Sequence, residues 1–261
     1  MILDEIVAKR KVRIAESKKI LSLKDLKKQV KQLKINKDFV FRKALQKPGI
    51  SFICEVKNAS PAVGQIGNAD FNPVKIAQSY VEAGADCISC ITEQDYFKGC
   101  NQFFTDIRKN ISLPMLRKDF VLDEYQIYEA KLMGANCILL IICTISLKEL
   151  KKFYKLATKL GMDCLIEANT LEEIDTALKV KSKIIGMNNR DLRDFTVDIN
   201  RSVLARKKCP SDIVFVSESA IKTRGDVALM EQAKVDAILI GETMMKFADK
   251  KAGLKYLKGE K

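Results

Sequence analysis

The sequence predicts an α/β fold in which eight parallel strands, each followed by a helix, close into one (β/α)8 barrel. Three observations support this prediction. Eight short apolar runs alternate with amphipathic stretches, a Gly-containing joint recurs ahead of several runs, and polar residues gather where the runs end. A segment of helical pattern precedes the first run, so we expect a TIM barrel with extra N-terminal helices.

The length and composition of the chain fit this fold. It has 261 residues, 47% of them hydrophobic, which is enough for one large α/β barrel or two small domains. No apolar run approaches the roughly 20 residues that cross a bilayer, and the longest, 137–145, is typical of a buried strand. The N-terminus carries acidic residues and no apolar signal core, so we expect neither a membrane span nor a secretion signal.

The cysteines indicate a reducing compartment and not a metal site. Eight are scattered along the chain, most of them inside apolar runs, where a free thiol behaves as a small hydrophobe. Cys87 and Cys90 form the only close pair, and the chain has no histidine, so we expect no bound metal. Buried reduced thiols are typical of the cytoplasm, where we expect the protein to work.

The net charge of +13 raises the possibility of a polyanionic partner. Residues 1–47 hold 15 Lys/Arg and 5 Asp/Glu, so this segment contributes +10 of the total. The basic excess therefore belongs to the N-terminal segment and not to a groove on the main body. We interpret it as a solvated Lys-rich surface and expect no nucleic acid partner, with polyanion binding as the alternative.

The apolar runs are the predicted strands of the barrel. Each is too short for a helix and rich in β-branched residues, as expected of a strand buried on both faces. Between them lie stretches of helical spacing, such as 73–83 and 146–160. In chain order the runs are SFICEV (51–56), DCISCI (86–91), PMLRK (114–118), NCILLII (136–142), MDCLIE (162–167), KIIGMN (183–188), DIVFVS (212–217) and DAILIG (236–241).

A weak internal repeat marks the junctions between predicted helices and strands. The tetrapeptides 83–86, 133–136 and 160–163 each have Gly in the second position, and 234–236 resembles them. Gly at this place closes a helix in the left-handed conformation. Repeated strand-helix units without a long linker favour a closed barrel over a doubly wound sheet. The doubly wound alternative needs a Gly-rich turn after the first strand, and KNASPAVGQ (57–65) is not one.

The chain is interpreted as one domain with a helical extension. Residues 1–48 have helical patterns and end at Pro48-Gly49, so we expect extra helices packed over one mouth of the barrel. Residues 49–261 are expected to form the barrel itself.

Polar residues lie at the ends of six predicted strands. In a barrel these ends feed the βα loops that form the active site. A single charged strand end is usually only solvated, whereas six that converge on one mouth indicate catalysis. A partly desolvated Lys has a lowered pKa and can act as a general acid near neutral pH, with Glu sharing the proton. The absence of His excludes a Ser-His-Asp triad. The residues are Glu55, Lys57, Arg117, Lys118, Asp119, Glu167, Asn188, Asn189, Arg190, Asp191, Ser217, Glu218, Ser219, Gly241, Glu242 and Thr243.

The ends of the last two predicted strands also indicate a phosphate-binding site. Ser219-Ala220 and Gly241-Glu242-Thr243 are each expected to open a following helix. Backbone N–H groups at helix N-termini near the seventh and eighth strands form the usual phosphate site of this fold. A plain turn at Gly241 is the alternative.

Several motifs together resemble the indole-3-glycerol phosphate synthase family, and the similarity runs along essentially the whole chain. LRKDF and GMNNRDL are together specific, although either alone is only moderately so. The motifs are Glu55-Val-Lys57 with Ser60-Pro61, Thr92-Glu93 with Tyr96-Phe97-x-Gly99, Leu116–Phe120, Ile166-Glu167, Gly186–Leu192 and Ser217–Ser219.

The resemblance implies a reaction without a cofactor or a metal. The substrate would be 1-(2-carboxyphenylamino)-1-deoxyribulose 5-phosphate, and the enzyme would close the indole ring with release of carbon dioxide and water. It would be a cytoplasmic carboxy-lyase, and we expect a monomer whose partner is a small phosphorylated molecule.

The resemblance also implies roles for individual residues. Lys118 would be the general acid of ring closure, and Glu167 would stabilise positive charge or move a proton. Glu55 and Lys57 would serve the dehydration, and Glu218 would orient the lysines. Asn188 and Arg190 would bind substrate hydroxyl and carboxylate groups. The phosphate would contact Ser219, Ala220, Gly241 and Glu242, while Ser60, Pro61, Phe97, Phe120 and Leu139 would bind the rest of the substrate, mainly its anthranilate ring.

Four positions depart from the family pattern. Asn58 replaces a basic residue, Ala62 a Ser, Asn169 a His and Ala220 a Gly. Three of them touch the anionic end of the expected site, so they concern phosphate affinity more than chemistry.

Two other functions stay open at this point. Another phosphate-binding barrel, such as phosphoribosylanthranilate isomerase or the tryptophan synthase α-subunit, would lack a Lys at the third strand end paired with Glu-x-Lys on the first. A non-catalytic basic binding protein would not need the complete set of acids and bases.

Overall fold

Eight parallel strands close into a barrel in the computed structural model, which describes residues 2–67, 70–191 and 195–260. Leu192, which ends the GMNNRDL motif, lies outside the described residues, as do the chain ends Met1 and Lys261. The strands are β1 (Ser51–Val56), β2 (Ala59–Ser60), β3 (Gly64–Gln65), β4 (Cys87–Ile91), β5 (Met115–Lys118), β6 (Cys137–Ile141), β7 (Asp163–Ala168), β8 (Ile184–Asn188), β9 (Val214–Glu218) and β10 (Ala237–Ile240).

Twelve α-helices accompany the strands within the described residues, and a 3-10 turn at Ile142–Thr144 follows β6. The α-helices are α1 (Ile2–Ile20), α2 (Leu23–Lys31), α3 (Val40–Ala44), α4 (Pro73–Glu82), α5 (Asn101–Asn110), α6 (Glu124–Leu132), α7 (Leu147–Lys159), α8 (Leu171–Lys179), α9 (Asn200–Lys208), α10 (Arg224–Gln232), α11 (Glu242–Lys246) and α12 (Lys250–Lys258).

Strand β1 closes the barrel, because it pairs in parallel with both β4 and β10. Ile53 lies opposite Cys87 on one side, and Ser51 lies opposite Ala237 on the other. The order around the barrel is β1-β10-β9-β8-β7-β6-β5-β4, with β2 and β3 forming a separate hairpin. The predicted (β/α)8 fold is therefore confirmed, and a doubly wound sheet is excluded.

The predicted junctions have the expected backbone conformation. Gly84, Gly134 and Gly161 follow α4, α6 and α7 with φ of +86°, +82° and +74°, and Lys234 takes the same role after α10 with φ of +59°. At Gly161 a Cβ would also overlap the carbonyl oxygen of Asn36. Gly is needed there because the N-terminal segment crosses the junction closely.

The N-terminal helices serve both ends of the barrel. Ile2, Leu3 and Ile6 of α1 line the cavity at the carboxyl ends of the strands. Phe41 of α3 packs instead with the inward-facing residues of the barrel and is fully buried, and the backbone N–H of Arg42 donates to Asp163 at the start of β7. The expectation that all of 1–48 covers one mouth is corrected here, because α3 closes the opposite end. Burial of Phe41 alone stabilises this arrangement by about 2 kcal/mol.

Part of the basic excess of the N-terminal segment is matched by acidic residues of the barrel. These ion pairs connect α1, α2 and the residues before β1 to loops and helices of the barrel, so this charge has a structural use. The pairs are Arg10–Asp119 (2.6 Å), Arg13–Asp95 (2.9 Å), Lys18–Asp123 (2.6 Å), Lys27–Glu124 (3.3 Å) and Lys47–Asp86 (2.5 Å). No helix in the described part of the chain is both long enough and apolar enough to cross a membrane.

Candidate active site

A cavity of about 700 Å³ opens at the carboxyl ends of the barrel strands. All sixteen residues to which the family resemblance gives a catalytic or substrate-binding role line it. They come from all eight barrel strands or the loops that follow them. They are Glu55, Lys57, Ser60, Pro61, Phe97, Lys118, Phe120, Leu139, Glu167, Asn188, Arg190, Glu218, Ser219, Ala220, Gly241 and Glu242.

The first charged pair comes from β1. Glu55 and Lys57 are two residues apart, so their side chains point to the same side of the extended chain. Lys57 Nζ lies 3.1 Å from Glu55 Oε1. Burial raises the pKa of Glu55, but the ammonium groups of Lys57 and Lys118 outweigh it, and the net pKa is lowered. Glu55 is therefore an ionised carboxylate that is ready to accept a proton.

Lys118 at the end of β5 lies between two buried carboxylates. Its Nζ is 3.3 Å from Glu167 Oε2 and 3.2 Å from Glu218 Oε2. Burial lowers the pKa of Lys118, but Glu167, Glu218 and Glu55 outweigh burial and raise the pKa above its ordinary value. The sequence-based expectation of a lowered pKa for Lys118 is wrong, because three acidic side chains surround the ammonium.

Glu218 differs from the other carboxylates in its protonation. It is 1% exposed, and neither carboxylate oxygen accepts a well-directed hydrogen bond. Burial is the largest influence on Glu218 and raises its pKa. The ammonium of Lys118 lowers the pKa and the nearby Glu167 raises it, so that the pKa is about 8. A carboxyl group with a pKa raised this far can give up a proton as well as take one near neutral pH.

Two polar side chains at the end of β8 complete the cluster, Asn188 in the strand and Arg190 in the loop that follows. Asn188 Nδ2 donates to Glu167 Oε1 at 3.2 Å, which fixes the carboxylate that faces Lys118. Asn188 Oδ1 accepts from the backbone N–H of Arg190 at 3.0 Å. The guanidinium of Arg190 lies 3.7 Å from Glu242 at the rim, where it can reach an anionic group of a ligand.

Aromatic rings form the apolar wall of the cavity. The ring centroids of Phe97 and Phe120 are 6.2 Å apart. Phe97 is held by Glu93, a buried carboxylate that accepts the backbone N–H groups of Asp95, Tyr96 and Phe97 at 2.8 to 2.9 Å. This loop-holding role of Glu93 was missed from the sequence, where it stood only as part of a motif.

The loop after β9 does not start a helix at Ser219. Ser219 and Ala220 both adopt left-handed backbone angles, with φ of +67° and +70°, and α10 begins only at Arg224. That expectation was wrong because a left-handed pair cannot continue into a right-handed helix. The expectation for the other loop was right, since Gly241 is the N-cap of α11.

Arg117 lies outside the cavity. It alternates with Lys118 on β5 and therefore points to the helix layer, where its guanidinium contacts Glu129 at 2.5 Å and Asn101 at 2.8 Å. Asp119 lines the cavity, and its carboxylate pairs with Arg10 of α1. These two polar residues of LRKDF thus connect the site to α1 and α6.

The residues that depart from the family pattern have local partners. Asn58 Oδ1 accepts from Gln65 Nε2 at 2.8 Å, and the Asn58 carbonyl accepts the N–H of Ile66, so Asn58 closes the β2–β3 hairpin. Asn169 is buried beside Cys143, with its backbone N–H bonded to Glu173.

Among the described residues no group of three or more Cys, Asp and Glu could hold a metal ion.

The cavity also has lining residues that the sequence analysis did not name as site residues, among them residues of the loops, α1 and α11. For Ile2 and Ile6 the sequence gave a helical pattern but no sign of a place in the site. The additional residues include Ile2, Leu3, Ile6, Phe195, Val197, Lys222 and Lys246.

The sequence is similar to one family of known proteins along nearly its whole length. The sequence model of the family described as indole-3-glycerol phosphate synthase matches residues 3–257. The chain is 44% identical to the indole-3-glycerol phosphate synthase of Ruminiclostridium cellulolyticum over 259 residues, 99% of each chain. It is 46% identical to that of Endomicrobium trichonymphae over 259 residues, 99% of this chain and 100% of the relative.

Two solved structures share the fold at low sequence identity. Thiamine phosphate pyrophosphorylase from Pyrococcus furiosus has a TM-score of 0.59 at 14% identity, with 84% of this chain and 96% of that chain covered. A chain of the tryptophan synthase a2b2 complex of Pyrococcus furiosus has a TM-score of 0.59 at 13% identity, with 80% and 97% covered. At these identities the likeness concerns the fold alone.

Proposed function

The chain belongs to the indole-3-glycerol phosphate synthase family, and we propose that the charged cluster at its barrel mouth performs that family's reaction by shared acid–base steps. The enzyme is a carboxy-lyase of tryptophan biosynthesis. It closes the indole ring of 1-(2-carboxyphenylamino)-1-deoxyribulose 5-phosphate, with loss of carbon dioxide and water.

The substrate lies with its ring against the apolar wall and its phosphate at the opposite side of the mouth. Phe97, Phe120, Pro61 and Leu139 hold the anthranilate ring. The phosphate takes backbone N–H groups of the loops at Ser219-Ala220 and Gly241-Glu242. A cavity of about 700 Å³ suits a ligand of this size. Ser60 of the β2–β3 hairpin contacts the substrate from above.

Ring closure uses Lys118 as the general acid. The ring carbon that bears the carboxylate attacks the ribulose carbonyl carbon, and the ammonium of Lys118 gives a proton to the carbonyl oxygen as the new carbon–carbon bond forms. The anilino nitrogen supplies electrons and becomes positively charged. Glu167, 3.3 Å from Lys118, stabilises this positive charge.

Decarboxylation follows because it restores the aromatic ring. The electrons of the bond to the carboxylate return to the ring, carbon dioxide leaves, and the charge on the nitrogen disappears. Both opposite charges vanish in this step, so the apolar wall favours it. Arg190 at the rim binds the carboxylate before it departs, and Asn188 binds a substrate hydroxyl.

Dehydration completes the indole. The hydroxyl formed at ring closure leaves as water after it takes a proton from Lys57, while the adjacent methylene carbon loses a proton to a carboxylate. Glu55 is suited to this role, because its lowered pKa keeps it ionised and its oxygen lies 3.1 Å from Lys57. Glu218 orients Lys118 and shares its proton.

One observation carries this assignment, namely the position of Lys118 Nζ within 3.3 Å of both Glu167 and Glu218. The test is to add purified protein to the carboxyphenylamino-deoxyribulose phosphate and to follow indole fluorescence. We expect turnover by the native chain and its loss in Lys118→Ala with unchanged circular dichroism. Near-normal turnover by that variant would refute the role of Lys118, and turnover of phosphoribosylanthranilate alone would favour the isomerase.

We also propose that the enzyme acts as a cytoplasmic monomer. The large apolar side chains exposed in the described part of the chain are spread over several helices, with Val12 and Ile20 on α1, Leu147 on α7, Leu204 on α9 and Tyr256 on α12. All eight cysteines are free thiols, as a reducing compartment requires. Sedimentation equilibrium should give the mass of one chain, and a concentration-dependent increase would contradict this.

A further inference from the structure

Gly186 lies in the middle of β8 and faces the inside of the barrel. It lies between Ile184, which packs in the barrel interior, and Asn188, which lines the cavity, and all three point inward because side chains alternate along a strand. Gly186 is buried, and it is not among the residues with positive φ. Its backbone is one that any residue can adopt, so conformation does not require glycine here.

The space beside Gly186 is occupied by the carboxylate of Glu218. A Cβ at position 186 would overlap Glu218 Oε1 and would lie 3.2 Å from its Cδ. The other close atom is Leu165 Cδ1 at 3.1 Å, the end of a flexible side chain that can give by a few tenths of an ångström. A glycine in a strand interior often marks such a close approach of another group. The carboxylate is therefore the group that excludes a side chain from this position.

We propose that Gly186 is a positioning residue, whose missing side chain forms the niche that holds the Glu218 carboxylate under Lys118. In this niche Glu218 Oε2 lies 3.2 Å from Lys118 Nζ. Glu218 sits opposite Asn188 in the strand register, so its side chain reaches back one inward position to fill the place above Gly186. The catalytic consequence rests on the proposed function of the cluster, whereas the niche itself does not.

An alanine at position 186 forces Glu218 out of its niche. The carboxylate can leave only toward Lys118 and the cavity, because the barrel interior beneath it is filled by side chains such as Leu165 and Val216. A misplacement of about 1 Å in a catalytic group can cost roughly 100-fold in rate. The substitution should therefore lower kcat more than it raises KM, since the aromatic wall and the phosphate loops are untouched.

The first experiment compares two Gly→Ala variants. Gly186→Ala should lower kcat by about 10- to 100-fold with a change in KM below about threefold. Gly225→Ala is the matched control, because Gly225 is exposed on α10 and a Cβ there would meet only Thr223 Oγ1 at 3.5 Å. It should keep native kcat. A Gly186→Ala enzyme with kcat within twofold of the native value would overturn the proposal.

The second experiment asks whether a shorter acid relieves the defect. In the Glu218→Asp background the carboxylate is withdrawn by one methylene, so adding Gly186→Ala should cost less than about threefold in kcat. An equal factor in both backgrounds would mean that Gly186 acts through something other than Glu218, and the niche would be rejected.

A stability cycle tests the niche without any turnover. Gly186→Ala should lower the melting temperature or prevent folding, and the loss should disappear when Glu218→Ala is added. The same loss in both backgrounds would overturn the proposal. If the native chain failed to turn over the substrate, the proposed function would fall, yet this cycle would still decide on the niche.

Discussion

Replacement of Arg10 by Met should loosen α1 from the barrel and weaken the active site at the same time. Arg10 is 5% exposed and its Nη2 lies 2.6 Å from Oδ2 of Asp119, a residue 109 positions later in the chain. Asp119 directly follows Lys118 and precedes Phe120. One turn before Arg10 on the same helix, Ile6 lines the cavity. The ion pair thus joins the helix that covers the mouth to the strand end that carries the proposed acid.

The size of the effect follows from what Asp119 keeps after the change. Removal of one partner of a buried ion pair costs about 3–5 kcal/mol when the other charge is left alone. Here Asp119 retains the hydroxyl of Thr92 at 2.5 Å, the N–H of Phe120 at 2.8 Å and a weaker contact with Arg117 at 3.4 Å. We therefore expect a loss below that range, about 2–3 kcal/mol. Methionine keeps the apolar stem, so the loss reports the charge.

Urea unfolding and hydrogen exchange at the amides of α1 measure the loss of stability in Arg10→Met. The value of kcat/KM shows whether the active site is weakened as well. Arg13→Met is the control on the same helix, because Arg13 is 42% exposed and its partner Asp95 is only partly buried. It should lower stability by less than Arg10→Met does and leave kcat/KM near the native value. If Arg10→Met matched Arg13→Met in both global and α1 stability, the buried pair would have no role in holding the helix.

Three further changes test other parts of the site. Glu218→Gln should become more stable relative to the native chain as pH rises from about 5 to 8, by up to about 1.4 kcal/mol per pH unit. The native fold holds a proton at Glu218 up to a pKa of about 8, which the unfolded chain has lost above about pH 4.3. Urea titrations across this range check the sign, and a constant difference would refute it. Gly241→Ala should lower kcat by roughly 10- to 100-fold, because a Cβ there would lie 2.6 Å from Glu55 Oε1; steady-state kinetics with native kcat would contradict this. Glu93→Gln should raise KM more than it lowers kcat, since Phe97 loses its anchor, and an unchanged KM would count against that role.

The strands and the residues of the cavity could be predicted because both follow from local pattern. Runs buried on both faces stand out as continuous apolar segments. The predicted boundaries of three of them differ from the observed boundaries of β1, β4 and β7 by no more than one residue. The convergence of their polar ends then follows from the parallel arrangement alone. Helix boundaries were equally local, as at 146–160, where Ser146 caps α7 with Glu149 as the reciprocal partner.

Properties that depend on several segments could not be predicted. The pKa of Lys118 depends on three carboxylates from three other strands, and the sequence gives no distances between them. The placement of α3 at the far end depends on contacts such as Arg42 with Asp163, 121 positions apart. The left-handed angles of Ser219 and Ala220 also escaped prediction, because neither residue type favours that conformation.

The absence of histidine sharpens the question of how this barrel moves protons near neutral pH. An efficient acid–base group needs a pKa near the working pH. The ordinary pKa of Lys lies far above neutral pH, and that of Glu lies far below it. Burial of Glu218 in the barrel interior brings its pKa to about 8. Gly186 leaves the space in which Glu218 of the next strand is buried. The two residues together therefore provide a group that titrates near neutral pH, which in other enzymes is often a histidine. Lys118, 3.2 Å away, can then exchange its proton with a neighbour that titrates in the useful range.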